Sequence, residues 1–219
     1  MRELQVLEVR SRRDIRRFTD LAYRVYARDP HWVAPLRRDI MRLLDPKTNG
    51  MLTRGPYRIL LAVRGGRPVA RILAGIDEEA NTLRKVRNGW FALFECLEDD
   101  RDAAEALVDQ VVDWMRSNGI RKLLGPLSAS GGDDSKGFLV RGHDTQAAYL
   151  CSHNPEWYAP FFQAHGFDQV HHLYAYYLHK DDIPMERFSR VVEYAKQRYS
   201  FRVDPLDFDH LERELEDIQ

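Results

Sequence analysis

Cysteine is scarce in this sequence: the 219 residues include only two, Cys96 and Cys151. Two cysteines without a Cys-x-x-Cys spacing exclude a disulfide framework. Such low cysteine usage is typical of a reducing compartment, so we expect a cytoplasmic location. Cys151 lies too close in sequence to His153 to indicate a nucleophile and its base, and we expect it to be a buried thiol.

The sequence also lacks long apolar runs and an excess of charge of either sign. No stretch approaches the roughly 18–20 apolar residues of a membrane span. The N-terminal Met1-Arg2-Glu3-Leu4-Gln5 contains no apolar signal-peptide core. Lys and Arg number 33 against 34 Asp and Glu, for a net charge of −1. Nucleic-acid binders rely on an excess of basic residues that bind phosphates, so the balanced charge leads us to expect no nucleic-acid partner. Because a long apolar run is lacking, we also expect no membrane partner.

What the sequence does contain is hydrophobic periodicity, with 44% hydrophobic and 11% aromatic residues. Alternating or continuous apolar runs predict strands over residues 4–10, 57–64, 68–76, 90–96, 120–124 and 171–179. Apolar residues at helical spacing predict helices that begin near Ser11, Arg37, Asp102 and Trp157. The Asp102–Ser117 helix has the clearest apolar stripe, formed by Leu107, Val111, Met115 and their neighbours. These elements predict a globular domain over residues 1–180.

The order of these elements indicates the fold class. Gly65-Gly66 is typical of a two-residue hairpin turn, so the second and third strands form a central hairpin. A βαβ unit follows the hairpin. Sequential hairpins followed by a βαβ unit predict an α/β fold with one mixed sheet of about six or seven strands and helices on both faces.

The C-terminal residues 181–219 resemble the start of a second copy of the domain. A helix is predicted over Met185–Arg198, a strand over Ser200–Val203 and a helix over Asp207–Gln219. This strand, turn and amphipathic helix repeat the pattern of residues 7–21, which predicts a linker helix and the start of a second, truncated unit. The alternative is a simple two-helix tail. The apolar stripe of the last helix makes the C-terminal segment a candidate oligomer contact.

Several sequence phrases resemble the GNAT acetyltransferase superfamily, and more closely a group of bacterial GNAT-like proteins of unassigned substrate. They are Tyr26-x-x-Asp29-Pro30-x-Trp32-Val33-x-Pro35-Leu36, Val69-Ala70-Arg71-Ile72, Gly89-Trp90-Phe91-Ala92-Leu93-Phe94-Glu95, Gly125-Pro126-Leu127-Ser128 and Tyr158-Ala159-Pro160-Phe161-Phe162-x-x-x-Gly166-Phe167. The resemblance covers residues 1 to about 180. It implies a GNAT-like mixed central sheet, acetyl-CoA or another acyl-CoA as cosubstrate, and a small-molecule acceptor.

The turn that matches the superfamily's phosphate-binding loop departs from its pattern. That loop is a Gln/Arg-x-x-Gly-x-Gly/Ala sequence whose backbone N–H groups hold the pyrophosphate of coenzyme A. Here the turn is Leu97-Glu98-Asp99-Asp100-Arg101-Asp102, which contains no glycine and four carboxylates. We expect these carboxylates to cap the following helix, and Arg101 is the candidate cofactor-binding residue because it offsets their charge.

The resemblance also implies positions for the catalytic residues. In the superfamily a Tyr four residues before the Gly of a terminal Gly-Phe protonates the departing thiolate, and this position holds Phe162. Tyr158 lies one helical turn away and is the candidate substitute. Glu95, near the end of the central strand, is the candidate base that acts through water.

A Gly/Ser/Asp-rich loop over Ser128–Gly137 follows the fifth predicted strand. Its glycines allow close backbone approach, and its hydroxyl and carboxylate groups supply donors and acceptors. The ligand-binding candidates are Ser128, Ser130, Gly131, Gly132 and Asp133 in this loop, together with Asn154. The alternative is a flexible polar loop. The paired aspartates lack EF-hand spacing, and we expect no metal.

Two hypotheses of different classes follow. The first is an acyl-CoA-dependent N-acyltransferase in which an amine attacks a thioester held in the splayed centre of the sheet. The second is a GNAT-fold binding module that has lost its catalytic groups and holds a small molecule or a protein partner. The acidic turn and Phe162 favour the second hypothesis, and the resemblance favours the first.

Overall fold

The structure is a computed structural model that describes residues 3–199, 201 and 205–216. The chain divides into two compact units, Met1–Leu173 and Tyr174–Gln219. The first unit contains the sheet and every candidate site residue.

The first unit is built on one five-stranded sheet in which the strands follow their chain order. The strands are β1 (Leu4–Glu8), β2 (Tyr57–Arg64), β3 (Arg67–Gly75), β4 (Asn88–Cys96) and β5 (Lys122–Leu124). Neighbouring strands are antiparallel from β1 to β4, whereas β4 and β5 are parallel. The parallel pair is connected by a helix, as a parallel connection requires. The prediction of a mixed α/β sheet is therefore confirmed.

The described residues of the first unit contain these α-helices: α1 (Arg12–Val25), α2 (Arg37–Leu43), α3 (Glu78–Arg84), α4 (Arg101–Ser117) and α5 (Tyr158–Ala164). Ser11 caps α1, because its side chain accepts a hydrogen bond from the Asp14 N–H. The sequence patterns did not predict α3. Asp77 caps this short helix by accepting from the Ala80 N–H, and none of its residues is buried, so no apolar stripe marks it.

The sheet has a hydrophobic core on each face, which confirms the predicted helices on both sides. Helices α4 and α5 cover one face, where Leu107, Val111 and Phe162 pack against residues of β2, β3 and β4. Helix α1 covers the other face, where Phe18 packs among a second set of strand residues. Cys96 belongs to the first core, whereas Cys151 is exposed. The prediction of a buried Cys151 is therefore wrong.

The predicted strand over residues 171–179 is not present, and among the residues that the structure describes the sheet has five strands, whereas six or seven were expected. The alternating aromatic residues of this segment have the period of a strand. A strand also requires a neighbouring strand to which it can hydrogen-bond, and the periodicity of one segment does not show whether such a neighbour exists.

The second unit contains α6 (Met185–Tyr199) and α7 (Leu211–Glu216), with short 3₁₀ turns at Lys180–Asp182 and Phe208–His210. The predicted helix over Met185–Arg198 is confirmed. The predicted strand Ser200–Val203 lies, apart from Phe201, outside the described residues, as do the last three residues of the predicted helix Asp207–Gln219. The truncated repeat and the oligomer contact stay predictions. None of the helices described up to residue 216 has both the length and the apolar character needed to cross a membrane.

We expect Leu107→Ala to lower the free energy of unfolding by about 2–5 kcal/mol, because a fully buried leucine leaves a cavity when it is truncated. Leu107 is 0% exposed between α4 and the sheet. Urea unfolding of the parent and the variant measures the loss. Leu83→Ala is the matched control, since Leu83 lies in α3 and is 83% exposed. A loss under about 1 kcal/mol for Leu107→Ala would show that this face of α4 contributes little to the core.

Candidate active site

The carboxyl-terminal half of β4 separates from β5. The two strands pair only between Asn88–Trp90 and Lys122–Leu124. One further backbone hydrogen bond follows, from the Leu127 N–H to the Phe91 carbonyl at 2.8 Å, before the chain departs into the Ser128–Gly137 loop. The end of β4 near Glu95 therefore lies beyond the paired part of this edge, and there the Cys96 N–H and carbonyl are hydrogen-bonded to the Tyr158 hydroxyl instead of to a strand.

A β-bulge in β4 places two charged side chains together. The pairing of β3 with β4 shifts so that Arg71 lies opposite Glu95, whereas Leu73 lies opposite Ala92. Leu93, inside the bulge, has a φ of 51°, and such positive φ values are uncommon outside glycine and occur at irregularities of this kind. Because Arg71 and Glu95 are direct cross-strand partners, their side chains lie on the same face of the sheet.

Glu95 lies at the centre of a buried polar cluster. Its Oε2 atom accepts hydrogen bonds from the Tyr26 hydroxyl at 2.8 Å and the Tyr158 hydroxyl at 2.9 Å. Its Oε1 atom lies 3.7 Å from Nη2 of Arg71. The Arg71 Nη1 group donates to the Phe18 carbonyl at 2.8 Å, which links the cluster to α1. The Glu95 side chain retains 13% exposure, whereas Tyr26, Arg71 and Tyr158 are at most 4% exposed.

Burial controls the electrostatics of this cluster. Loss of hydration raises the pKa of Glu95, although the charge of Arg71 and the two phenol hydrogen bonds oppose this rise. Burial also raises the pKa values of Tyr26 and Tyr158 well above their usual range, and the neighbouring Glu95 carboxylate adds to the effect. Both phenols therefore stay protonated and donate. A carboxyl group with a raised pKa is suited to accept a proton near neutral pH.

A hydrogen-bonded histidine and aspartate lie beside the cluster. Nε2 of His153 lies 2.7 Å from Oδ2 of Asp29, and the His153 carbonyl is 3.2 Å from the Tyr26 hydroxyl. The Tyr26 ring stacks on Trp32 with 4.8 Å between ring centroids. The segment after α1 and the segment before α5 therefore meet next to Glu95.

The structure brings the two predicted catalytic residues, Glu95 and Tyr158, into direct contact. Tyr158 is 0% exposed, and its hydroxyl also accepts a hydrogen bond from the Cys96 N–H at 2.7 Å. A general acid must touch the group that it protonates. In this arrangement Tyr158 contacts the Glu95 carboxylate and the β4 backbone, which suits a residue that holds Glu95 in place.

The Ser128 and Ser130 hydroxyl groups form hydrogen bonds within the Ser128–Gly137 loop. Oδ1 of Asp134 accepts from Oγ of Ser128 at 2.8 Å and from Oγ of Ser130 at 2.9 Å. The Gly132 N–H donates to the same Ser130 hydroxyl at 3.2 Å. Asp133 is fully exposed and pairs with Lys136, and Gly131 has a left-handed φ of 80°. This network supports the loop conformation, and ligand binding by these residues stays a prediction.

Asn154 and Arg101 make contacts that are local to the α5 region. Asn154 is 5% exposed, accepts from the Leu139 N–H at 2.6 Å, and donates to the carbonyls of Leu139 and Pro155 at 3.3 and 2.9 Å. Its amide thus fastens two chain segments together. Arg101 lies over the Trp157 ring at 4.8 Å and pairs with Glu98 at 3.1 Å, and about half of its side chain is exposed.

The acidic turn before α4 is neutralised in a way that the sequence did not predict. Asp100 is the N-cap residue of α4 but makes no capping hydrogen bond through its side chain, so the capping expectation is wrong for this residue. Asp102 lies in the first turn of α4, where its charge favours the helix dipole as expected. Arg64 of β2 instead binds Asp100 at 2.7 Å and Asp102 at 2.6 Å. Within residues 3–199, 201 and 205–216, no group of three or more His, Cys, Asp and Glu side chains is placed to hold a metal ion.

Four residues in or beside the cluster received no role from the sequence: Tyr26 and Arg71 in it, and Asp29 and His153 beside it. Three of them stand in the phrases that carried the family resemblance, where they received no role. Arg71 also offered a physical signal, because an arginine surrounded by buried apolar residues in β3 requires a buried partner. His153 offered none beyond its position between Cys151 and the helix of Tyr158.

Two curated bacterial proteins are similar to this chain in sequence. The bacterial ceramide synthase of Caulobacter vibrioides is 33% identical over 175 residues, which cover 80% of this chain and 45% of that protein. Protein YghO of Escherichia coli is 25% identical over 200 residues, which cover 88% of this chain and 49% of that protein. The chain thus spans about half the length of the curated relatives it matches. No family model matches it.

Solved structures similar to the chain include two with a stated connection to acetyl transfer. One is a predicted acetyltransferase from Clostridium acetobutylicum with acetyl-CoA, at 11% identity and a TM-score of 0.48, covering 80% of this chain and 96% of that one. Another is a tandem GNAT protein from the clavulanic acid biosynthesis pathway, at 14% identity and a TM-score of 0.45, covering 55% of this chain and 35% of that one.

Proposed function

We propose that this chain is an acyl-CoA-dependent N-acyltransferase and that Glu95 is its general base. The observation that carries the proposal is the largely buried Glu95 carboxylate at the end of β4 that does not pair with β5. It is held between Tyr26 and Tyr158 and beside Arg71, and burial raises its pKa. Clusters with perturbed pKa values are typical of functional sites.

The proposed reaction is the attack of an amine on a thioester. The amine nitrogen of the acceptor attacks the thioester carbonyl carbon, so that a C–N bond forms and the C–S bond breaks. The proton lost by the amine passes through a water molecule to Glu95, and the departing thiolate takes up a proton from solvent. Tyr158 is a positioning residue in this scheme, because its hydroxyl holds Oε2 of Glu95 while it accepts the Cys96 N–H.

The surroundings of Glu95 suit a thioester arm. The thioester arm lies along the end of β4, beyond the part that pairs with β5, and backbone groups that are not already bonded to Tyr158 recognise its amides. Asp100 and Asp102 are engaged by Arg64, which weakens their repulsion of coenzyme phosphates. Arg101, about half exposed at the start of α4, supplies a cation on the same turn.

The relative from Caulobacter vibrioides supports a substrate class. It is named a ceramide synthase, and a ceramide is the amide of a fatty acid and a long-chain amino alcohol. We propose by this similarity that the acceptor is a long-chain amine and the donor a fatty acyl-CoA.

Thermal-shift titration tests whether the chain binds such donors. The probes are acetyl-CoA and palmitoyl-CoA, with free coenzyme A and free palmitate as controls. A ligand present at 100 times its dissociation constant stabilises the folded state by about 2.7 kcal/mol, so Tm rises with concentration. We expect a larger rise for a thioester than for either control. Equal curves for all four probes would contradict the proposed cosubstrate.

A further inference from the structure

Two phenols share one oxygen of Glu95. Tyr26 and Tyr158 both donate to Oε2, whereas Oε1 has the longer contact of 3.7 Å with Arg71. We infer that Tyr26 is a second positioning residue, which with Tyr158 occupies Oε2 and leaves Oε1 as the atom that receives the proton from the acceptor amine. The claim that Oε1 receives the proton of the amine rests on the proposed function. The claim that the Tyr26 hydroxyl stabilises the Glu95 carboxylate does not rest on it.

Tyr26 is itself held from several sides. It is the C-cap residue that directly follows α1, and its N–H donates to the Ala22 carbonyl at 3.0 Å. Its ring stacks on Trp32 with an interplanar angle of 16°. Its hydroxyl, 2.8 Å from Glu95, is also 3.2 Å from the carbonyl of His153, whose ring is fixed by Asp29. Because these contacts fix the conformation of the Tyr26 side chain, its hydroxyl is held at one position beside Glu95.

The charged and titratable groups that face Glu95 come from four parts of the chain: Arg71 on β3, Tyr26 at the end of α1, Tyr158 on α5 and His153 before α5. Among them, Tyr26 and Tyr158 stabilise the carboxylate by donating to it. Removal of the Tyr26 hydroxyl therefore favours the protonated, inactive form of Glu95. The loss affects activity most at the acidic end of the pH range, because at higher pH the carboxyl group is ionised without this donor.

The chain provides a matched control in Tyr23, one helical turn before Tyr26. Its ring contacts the same Trp32 edge-on, at 5.3 Å between centroids. Its hydroxyl donates to the Pro35 carbonyl instead of to Glu95. Tyr23→Phe and Tyr26→Phe therefore remove the same atom from neighbouring sites on one tryptophan, and only the second removes a donor to Glu95.

The first experiment follows the Glu95 carboxyl carbon by NMR in protein labelled with ¹³C at glutamate side chains, over a pH titration. Glu95→Gln identifies the signal. We expect Tyr26→Phe to increase the proton affinity of Glu95 by about tenfold, the factor of one hydrogen bond to a charged group. In Tyr23→Phe the proton affinity of Glu95 should stay within about twofold of that in the parent protein. An unchanged titration in Tyr26→Phe, or an equal change in both variants, would overturn the inference.

The second experiment measures kcat and KM for palmitoyl-CoA with a long-chain amine across pH. We expect Tyr26→Phe to lose about tenfold in kcat at the acidic end and to approach the parent at the alkaline end, with KM for the thioester nearly unchanged. A uniform loss at every pH would assign Tyr26 a structural role and overturn its positioning role. Absence of transfer in the parent would contradict the proposed function, and the NMR titration would still decide whether Tyr26 controls the protonation of Glu95.

Discussion

Glu95→Gln is expected to lower the turnover of acyl transfer by about 10²–10⁴-fold, the usual contribution of a general base. Glutamine has the shape of glutamate, and its side-chain oxygen can still accept from Tyr26 and Tyr158. It cannot take up a proton. The variant therefore removes the chemistry of Glu95 and preserves the packing around it.

The pH dependence makes this result specific. A base acts only when it is deprotonated, and burial raises the pKa of Glu95. The parent's kcat should therefore rise with pH through a range above the ordinary pKa of glutamate, and Glu95→Gln should abolish this rise. Glu98→Gln is the control, because Glu98 is a nearby carboxylate whose side chain is 74% exposed. A full rate in Glu95→Gln, with an unchanged pH profile, would remove Glu95 from the mechanism.

Arg71→Met should lower the free energy of unfolding by about 3–5 kcal/mol, the cost of breaking a buried ion pair from one side. Arg71 is 3% exposed and neutralises Glu95 from 3.7 Å. It also donates to the carbonyls of Phe18 and Thr19 at 2.8 and 3.3 Å. Methionine fills much of the same space but leaves a buried carboxylate without its cation and two carbonyls without a donor.

Denaturant unfolding at neutral pH measures this loss, and the double variant shows its cause. Adding Glu95→Gln removes the stranded charge, so Arg71→Met with Glu95→Gln should be more stable than Arg71→Met alone. Arg10→Met is the surface control, since the Arg10 side chain is 80% exposed. A loss of under about 1 kcal/mol for Arg71→Met, or no recovery in the double variant, would contradict the buried pair.

Much of the fold could be predicted because its signals are local. The Tyr57–Arg64 strand and the α4 stripe of Leu107, Val111 and Met115 each carry their period within one segment. Helix α3 could not be found this way, because it buries no residue. The segment 171–179 failed for the opposite reason: its strand period is clear, but the existence of a pairing partner is a property of the whole chain.

The candidate site was predicted only in part, because a sequence pattern within one segment does not show which distant residues it contacts. Glu95 and Tyr158 were identified from their positions in sequence phrases, whereas their contact spans 63 residues. The contact of Tyr26 with Glu95 spans 69 residues and that of Asp29 with His153 spans 124. No pattern within one segment predicts which residues contact each other across such separations along the chain. Composition also could not tell that the Ser128 and Ser130 hydroxyls are engaged by Asp134 of their own loop.

The most direct test of the central claim is a transfer experiment with palmitoyl-CoA labelled with ¹³C at the thioester carbonyl and a long-chain amine as acceptor. Mass spectrometry follows the labelled amide and the free coenzyme A. With the parent protein we predict that both products appear in equal amounts, and that Glu95→Gln forms them about 10²–10⁴-fold more slowly. If the thioester stabilises the folded protein but no labelled amide forms at any pH, Glu95 is not the base of an acyl transfer and the chain is a binding module.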